Sequence, residues 1–278
     1  MKLLRVGDKG KEKPAVTDQN NKIRDLSSHI TDLSPDCLNF ETILKIKNID
    51  LEKLPELSSK ERLGACISKP GKFVAIGLNY SDHAKETGLK IPTEPIVFMK
   101  ATSSISGPND NIEMPKDSTK LDWEVELAFV VGKETKNISE KEAADHILGY
   151  CIVNDVSERE WQIEKMGQWV KGKSGDTFGP TGPYLVTKDE ISDINNLNLS
   201  LDVNEKKMQA GNTKNMIFNT NFLLSYLSKF MSLQPGDIVT TGTPPGVGMG
   251  KKPPLYLKSG DEMNLSIDYL GSQKQRVR

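Results

Sequence analysis

Short apolar runs and apolar–polar alternation recur along the chain from about residue 70, and helical spacing is rare there. Alternation with a period of two is typical of a β-strand that buries one face. Segments of this kind are predicted as strands at residues 3–6, 13–16, 73–77, 123–132, 150–153, 238–240 and 262–269. Because strands outnumber helices in the larger part of the chain, the sequence predicts a β-rich α+β fold.

Helical periodicity is confined to short segments. The clearest lies at residues 219–230, where five large apolar residues share one helical face. Asn79 or Ser81 is expected to cap a short polar helix that ends at Gly88. Further helices are predicted at residues 38–51, 138–148 and 157–166.

A turn signal at residues 68–72, Ser-Lys-Pro-Gly-Lys, divides the chain into two parts. Residues 1–68 are predicted to form a small N-terminal domain, and residues 69–278 form the main domain. No internal repeat or low-complexity segment is present in the sequence.

Composition excludes several classes of protein. The 278 residues include 37 Lys and Arg against 38 Asp and Glu, so the basic excess of a general nucleic-acid binder is missing. No apolar run approaches the roughly 20 residues that cross a bilayer, and the first residues do not resemble a signal peptide. The three cysteines are widely separated, which argues against a disulfide framework and a zinc site and favours a cytoplasmic protein.

Two acidic residues lie on one face of the predicted strand at 123–132. Glu124 and Glu126 share that face with Ala128 and Val130, and the opposite face is fully apolar. Neighbouring carboxylates repel each other when buried, and a hard divalent cation would remove this cost. Asp155, at the end of the strand 150–153, is a third candidate ligand. The alternatives are a solvated strand face for the glutamates and a helix cap for Asp155.

His83 and Glu86 lie three residues apart on the predicted polar helix, so their side chains share one face. A carboxylate can orient an imidazole and raise its basicity, which makes the pair a candidate general base. An exposed, functionally silent His–Glu pair is the alternative. The other two histidines have no such partner.

Two nucleotide-binding patterns are rejected. Residues 167–174 match the P-loop pattern letter for letter, but no buried strand precedes them and two prolines interrupt the segment that follows. The glycines at 246–250 lack the spacing of a dinucleotide-binding loop and follow no strand-to-helix transition.

Five segments, taken in order, resemble the motifs of the fumarylacetoacetate hydrolase family. The resemblance covers roughly residues 70–270 and rests on Gly77–Glu86, Asp122–Leu127, Asn154–Arg159, Lys173–Pro180 and Thr241–Gly248. It implies that Glu124, Glu126 and Asp155 bind one Mg²⁺ or Mn²⁺. It also implies that His83 and Glu86 lie on a mobile lid helix and activate water.

The resemblance assigns roles to four further residues. Lys173 would stabilise developing negative charge, while Arg159, Gln162 and Thr243 would hold the oxygen atoms of a small oxo-acid substrate. The family fold is a mixed β-sheet roll that is usually assembled as a homodimer. The length and the N-terminal part are similar to the subgroup of 2,4-diketo-3-deoxy sugar-acid hydrolases and ureidoglycolate lyases.

Hydrolytic cleavage of a carbon–carbon bond in a 2,4-dioxo acid is the reaction that these residues favour, because both a base and a metal site are expected. The same machinery suits a lyase, a decarboxylase or an oxo-enol isomerase. A non-catalytic, metal-stabilised binding protein is the alternative outside enzymes.

Overall fold

A computed structural model describes residues 1–88 and 90–278 and has the predicted β-rich α+β fold with a mixed sheet. The strands are β1 (Lys2–Val6), β2 (Lys13–Thr17), β3 (Ile23–Asp25), β4 (Glu56–Leu57), β5 (Leu63–Gly64), β6 (Phe73–Gly77), β7 (Ile96–Met99), β8 (Ile105–Ser106), β9 (Leu121–Asp122), β10 (Val125–Val131), β11 (Ile147–Asn154), β12 (Ser157–Glu158), β13 (Gly179–Pro180), β14 (Leu185–Thr187), β15 (Asn198–Val203), β16 (Lys206–Asn212), β17 (Ile238–Thr240), β18 (Glu262–Ile267) and β19 (Gly271–Arg276).

Two sheets carry the fold. The larger has the strand order β4-β3-β2-β1-β14-β11-β10-β17-β6-β7, with β5 paired to β1 beside β14. Its strands pair in antiparallel fashion except for β17 and β6, which are parallel. The smaller sheet is antiparallel and has the order β16-β15-β18-β19. Short two-stranded pairs, β9 with β12 and β8 with β13, complete the strand pairing.

Strand β10 lies inside the molecule, with both faces buried. Leu127 and Phe129 pack in one apolar cluster with Leu201 of the smaller sheet. Ala128 and Val130, on the opposite face, pack in a second cluster that includes the N-terminal segment. Burying a large apolar side chain stabilises a fold by roughly 2 kcal/mol, so this strand is held from both sides.

The N-terminal segment is part of the same sheet and core. Strand β1 pairs with β14 through Lys2 opposite Val186 and Leu3 opposite Leu185. Leu3 also belongs to the apolar cluster that contains Val130. The division into domains at residue 68 stays a prediction, and the structure adds that strands of both parts pair in one sheet and that their side chains pack in one cluster.

The helices are short: α1 (Phe40–Lys47), α2 (Ser81–Thr87), α3 (Glu140–Ala143), α4 (Val170–Lys173) and α5 (Thr220–Ser228). Tyr80 is the N-cap residue of α2 and makes no side-chain capping bond, so the expected caps were wrong, whereas Gly88 ends the helix with a φ of 69° as predicted. None of the helices in the described residues combines the length and hydropathy that a bilayer span requires.

Two of the predicted helices are wrong over most of their length, where the structure has strands and short turns instead. The segment 138–148 forms only the one-turn helix α3 before β11 begins, because burial between β10 and β14 favours a continuous apolar strand there. The segment 157–166 begins with β12 and continues as a π-helical turn, Glu160–Glu164. Such turns are frequent at functional sites, and this one lines the cavity described next.

Candidate active site

Three carboxylates lie close together at the N-terminal end of β10. Glu124, Glu126 and Asp155 each offer an oxygen atom, and these atoms lie within 4.8 Å of one another. The antiparallel register explains the meeting: Asn154 of β11 lies opposite Val125 of β10, so the next residue along β11 comes beside Glu124. The backbone N–H of Asp155 donates to the carbonyl of Glu124 at 2.9 Å, which fixes this junction.

The carboxylates are almost fully buried and interact strongly. Burial, reinforced by the charges of Asp155 and Glu124, raises the pKa of Glu126 well above its usual range. Burial alone would also raise the pKa of Glu124, but the charges of Lys173 and Arg159 outweigh it and lower that pKa to about 2. The nearby lysine and arginine side chains therefore do not fully offset the negative charge of the three carboxylates.

Two buried lysines contact the carboxylates. Lys173 Nζ lies 2.7 Å from Glu124 Oε2 and 2.7 Å from Asp155 Oδ2. Lys100 Nζ lies 2.5 Å from Asp155 Oδ1 and also donates to the main-chain carbonyl of Lys173. Burial lowers the pKa of Lys100. Sequence reasoning missed Lys100; its only signal is a lysine directly after the apolar strand β7.

Arg159 connects the cluster to the π-helical turn. Its Nη2 atom lies 2.6 Å from Glu124 Oε1, and its Nε atom lies 2.8 Å from Asp122 Oδ2. Its Nη1 atom donates to Gln162 Oε1 at 3.0 Å. Asp122 in turn accepts from the backbone N–H groups of Gly248 and Met249, at 2.7 and 3.0 Å. The guanidinium is therefore held in place by partners on three sides.

Thr243 lines the same cavity, but its hydroxyl is engaged within the protein. It donates to the carbonyl of Val125 at 2.9 Å and accepts from Gln209 Nε2 at 2.7 Å. Its hydroxyl proton is thus committed to the main chain, and its predicted role in holding substrate stays a prediction.

His83 and Glu86 form the expected pair on α2, with 3.1 Å between Nδ1 and Oε2. The carboxylate of Glu86 also accepts from the backbone N–H of Gly246, at 3.1 Å. Asp82, on the same helix, accepts from Asn215 at 2.7 Å. The helix is therefore tied to two neighbouring segments in this arrangement, and its mobility stays a prediction.

One cavity of about 180 Å³ gathers these groups. Seven of the nine predicted site residues line it: His83, Glu124, Glu126, Arg159, Gln162, Lys173 and Thr243. The other two do not line the cavity but contact residues that do: Asp155 contacts Lys173, and Glu86 contacts His83. The remaining lining is mostly apolar: Ile76, Gly77, Leu78, Ile96, Phe98, Ile163, Trp169 and Met249.

The three-carboxylate cluster fits a divalent cation. Carboxylate oxygens are the ligands that Mg²⁺ and Mn²⁺ prefer, and Glu126 lacks a lysine or arginine at ion-pair distance among the described residues. The main-chain N–H of Gly242 donates to Glu126 at 3.1 Å and holds the carboxylate in position. A doubly charged ion would offset the repulsion that raises the pKa of Glu126.

The P-loop pattern has no matching structure. Residues 167–174 follow the π-helical turn Glu160–Glu164 instead of a strand, and their only helix is the one-turn α4. Lys173, which would contact phosphates in a true P-loop, is paired with Glu124 and Asp155. These observations agree with rejecting a nucleotide site here.

Known proteins are similar to this chain over its whole length. A Burkholderia ambifaria protein that is named a hydrolase without a stated substrate is 55% identical over 279 residues, covering 100% of this chain and 99% of the relative. The structure of fumarylacetoacetate hydrolase from Exiguobacterium antarcticum is 35% identical with a TM-score of 0.90, covering 100% of this chain and 99% of that one.

A third similar structure is maleylpyruvate hydrolase from Sphingobium sp. SYK-6, described in complex with manganese(II) ion and pyruvate. It is 26% identical, has a TM-score of 0.84, and the match covers 100% of this chain and 98% of that one. The family described as "Fumarylacetoacetate (FAA) hydrolase C-terminal" matches residues 72–278, which is most of the chain. The chain is therefore a member of the fumarylacetoacetate hydrolase family.

Proposed function

We propose that the protein is a divalent-cation-dependent hydrolase that cleaves a carbon–carbon bond in a small 2,4-dioxo acid. The observation that carries this proposal is that His83, which is paired with Glu86, lines the same cavity as Glu124 and Glu126 of the three-carboxylate cluster. The similar maleylpyruvate hydrolase, described with manganese and pyruvate, supports a metal and an oxo-acid product of this class. The unpaired cysteines agree with a cytoplasmic location.

Glu124, Glu126 and Asp155 would hold Mg²⁺ or Mn²⁺. Such an ion supplies a Lewis acid for the 2-oxo group and carboxylate of the substrate. Arg159 and Lys173, held by the same carboxylates, bring positive charge to the oxygen atoms of the substrate. Gln162 lines the cavity beside Arg159 and would help to orient the substrate.

His83 would take a proton from a water molecule that attacks the 4-oxo carbon. Glu86 accepts a hydrogen bond from the imidazole and favours its protonated form as the proton arrives. The bond between carbons 3 and 4 then breaks, the electron pair remains on carbon 3, and that carbon takes up a proton. The products are pyruvate and a carboxylic acid, so one water molecule is consumed.

A panel of acylpyruvates, assayed with Mg²⁺, with Mn²⁺ and with a chelator, tests this function. We expect pyruvate release that requires the cation and that Glu126→Gln abolishes. Glu140→Gln, which changes an exposed glutamate of α3, is the matched control and should leave the rate unchanged.

Product analysis in the same assay separates the hydrolase from the other reactions of this machinery. Release of carbon dioxide would indicate a decarboxylase, and a shift between oxo and enol forms without bond cleavage would indicate an isomerase. No turnover of any panel member with either cation would contradict the proposed function.

A further inference from the structure

The apolar side of the active-site cavity is built from side chains fixed in place. Phe98 and Trp169 contact each other edge to face, with 5.2 Å between ring centroids. Trp169 packs against the main chain of Gly77 so closely that a Cβ atom there would lie 2.5 Å from Cζ3 of the indole. Ile163 and Met249 extend the same apolar lining. We call these four side chains, Phe98, Ile163, Trp169 and Met249, the apolar wall.

The cations that line the cavity are already engaged by carboxylates. Arg159 pairs with Asp122 through Nε and donates to Gln162 through Nη1, and its Nη2 atom lies at ion-pair distance from Glu124 without a hydrogen bond. Lys173 contacts two carboxylates at 2.7 Å. Among the described lining residues, no lysine or arginine other than these two is present. Lys173 Nζ also lies 5.2 Å from the centroid of the Phe98 ring, so the cation beside the apolar wall is one that two carboxylates already engage.

The charge of the cluster limits how many carboxylates a substrate brings. Its acids are Asp122, Glu124, Glu126 and Asp155, and its cations are Lys100, Arg159 and Lys173. These charges leave one net negative charge when all the acids are ionised, and a divalent cation changes it to one positive. One substrate carboxylate neutralises that charge, whereas a second would be buried without a partner.

From these observations, and resting on the proposed function, we infer that the substrate is a monocarboxylate whose distal acyl group is uncharged and apolar. A second carboxylate against the apolar wall would lose its hydration without gaining a cation. The hydroxyl groups of a sugar acid would lose hydrogen bonds to water there. The cavity volume of about 180 Å³ also favours a compact acyl group.

Calorimetry in the presence of Mn²⁺ tests the inference with two six-carbon ligands that need no turnover. These are 2-oxohexanoate, with one carboxylate, and 2-oxohexanedioate, which has a second carboxylate at the distal end. We expect 2-oxohexanoate to bind more tightly by about tenfold or more, because the second carboxylate is desolvated without a partner. Equal binding, tighter binding of the dioate, or binding of neither ligand would overturn the inference.

A charge added to the apolar wall should weaken this preference. Ile163→Arg places a guanidinium on the cavity lining at a half-exposed position, 47% exposed, where the new side chain need not be buried. We expect the affinity ratio to move toward the dioate by about tenfold. Met166→Arg, at a position 91% exposed in the same segment, is the matched control and should leave the ratio unchanged. An equal shift in both variants would overturn the inference.

Turnover separates the inference from the proposed function. Cleavage of acylpyruvates together with a preference for the dioate would refute the inference and leave the proposed hydrolase intact. A preference for 2-oxohexanoate without cleavage of any acylpyruvate would support the inference about the pocket and refute the hydrolase.

Discussion

At the residue scale, what could be predicted depended on local pattern. Glu124 and Glu126 could be predicted to share a face because strand side chains alternate, and both line the cavity. Lys100 could not be predicted, because its burial depends on Asp155, which lies 55 residues further along the chain. The commitment of the Thr243 hydroxyl to Val125 also depends on a contact distant in sequence, 118 residues away.

The His83–Glu86 pair gives the sharpest prediction at this scale. His83→Asn should lower turnover by about two to four orders of magnitude, the usual effect of losing a general base. Divalent-cation affinity, measured by calorimetry, should hardly change because the carboxylate cluster is intact. His29→Gln, which changes an exposed histidine, is the control and should leave the rate unchanged.

Glu86→Gln completes the cycle with His83→Asn. The double variant should be little slower than His83→Asn alone, because residues that act as a unit give non-additive losses. Fully additive losses, or cation affinity lost with His83→Asn, would assign the pair a different role.

At the scale of elements, the long strands were predictable and the short irregular turns were not. Strand β10 and the division of its side chains between two faces follow from alternation. Strand β17 follows from its apolar run after a turn signal. The π-helical turn Glu160–Glu164 has no sequence pattern of its own. It forms where Arg159 and Gln162 contact each other and Arg159 contacts Asp122, so its shape depends on tertiary contacts.

The loop after β17 supports α2 and depends on one glycine. Gly246 has a φ of 106°, and a Cβ atom there would lie 1.9 Å from the carbonyl oxygen of Met208. Its N–H also donates to Glu86. Gly246→Ala should therefore displace the loop and lower turnover by about 100-fold, the scale of loss expected when a catalytic group moves by an ångström.

Gly260→Ala is the matched control for this prediction. Gly260 has a φ of 96°, but no atom of the described residues lies within 4 Å of the Cβ position. The alanine in Gly260→Ala would therefore add only the strain of a left-handed backbone, about 1–2 kcal/mol, which thermal unfolding would measure. Similar turnover in both alanine variants would show that the close approach at Gly246 does not position Glu86.

At the scale of the whole molecule, the N-terminal segment is attached by charge as well as by strand pairing. Arg62 donates to Asp110 through Nε at 2.8 Å and through Nη2 at 2.6 Å, and its Nη1 atom donates to Glu12 at 2.9 Å. The two bonds to Asp110 cross the predicted boundary at residue 68, whereas Glu12 lies on the same side of it as Arg62. The sequence predicted the boundary from a turn signal, but it could not predict these cross-boundary pairs. The homodimer likewise stays a prediction.

The Arg62 bonds should make stability depend on pH. Burial alone would raise the pKa of Asp110, but the hydrogen bonds from Arg62 and Gly107 and the charge of Arg62 together outweigh it and lower that pKa below its ordinary value of 3.8. The unfolded chain therefore takes up a proton at higher pH than the folded one. The stabilisation is complete above about pH 4 and is lost as the pH falls through the folded pKa.

Arg62→Gln should accordingly lower the free energy of unfolding by about 1–3 kcal/mol at pH 7. Its difference from the unsubstituted protein should shrink as the pH falls below 4, as urea unfolding at several pH values would show. Lys60→Gln, in the same exposed loop, is the control and should change little. A difference that stays constant down to pH 2 would contradict an electrostatic origin.

The central claim is that the three buried carboxylates hold a divalent cation for chemistry on an oxo-acid. Anomalous diffraction from crystals soaked in MnCl₂ tests the ion's position most directly. We predict one strong peak between Glu124, Glu126 and Asp155, and its loss in crystals of Glu126→Gln treated in the same way. Crystals without a peak between these carboxylates, or a peak there that persists unchanged in Glu126→Gln, would contradict the account.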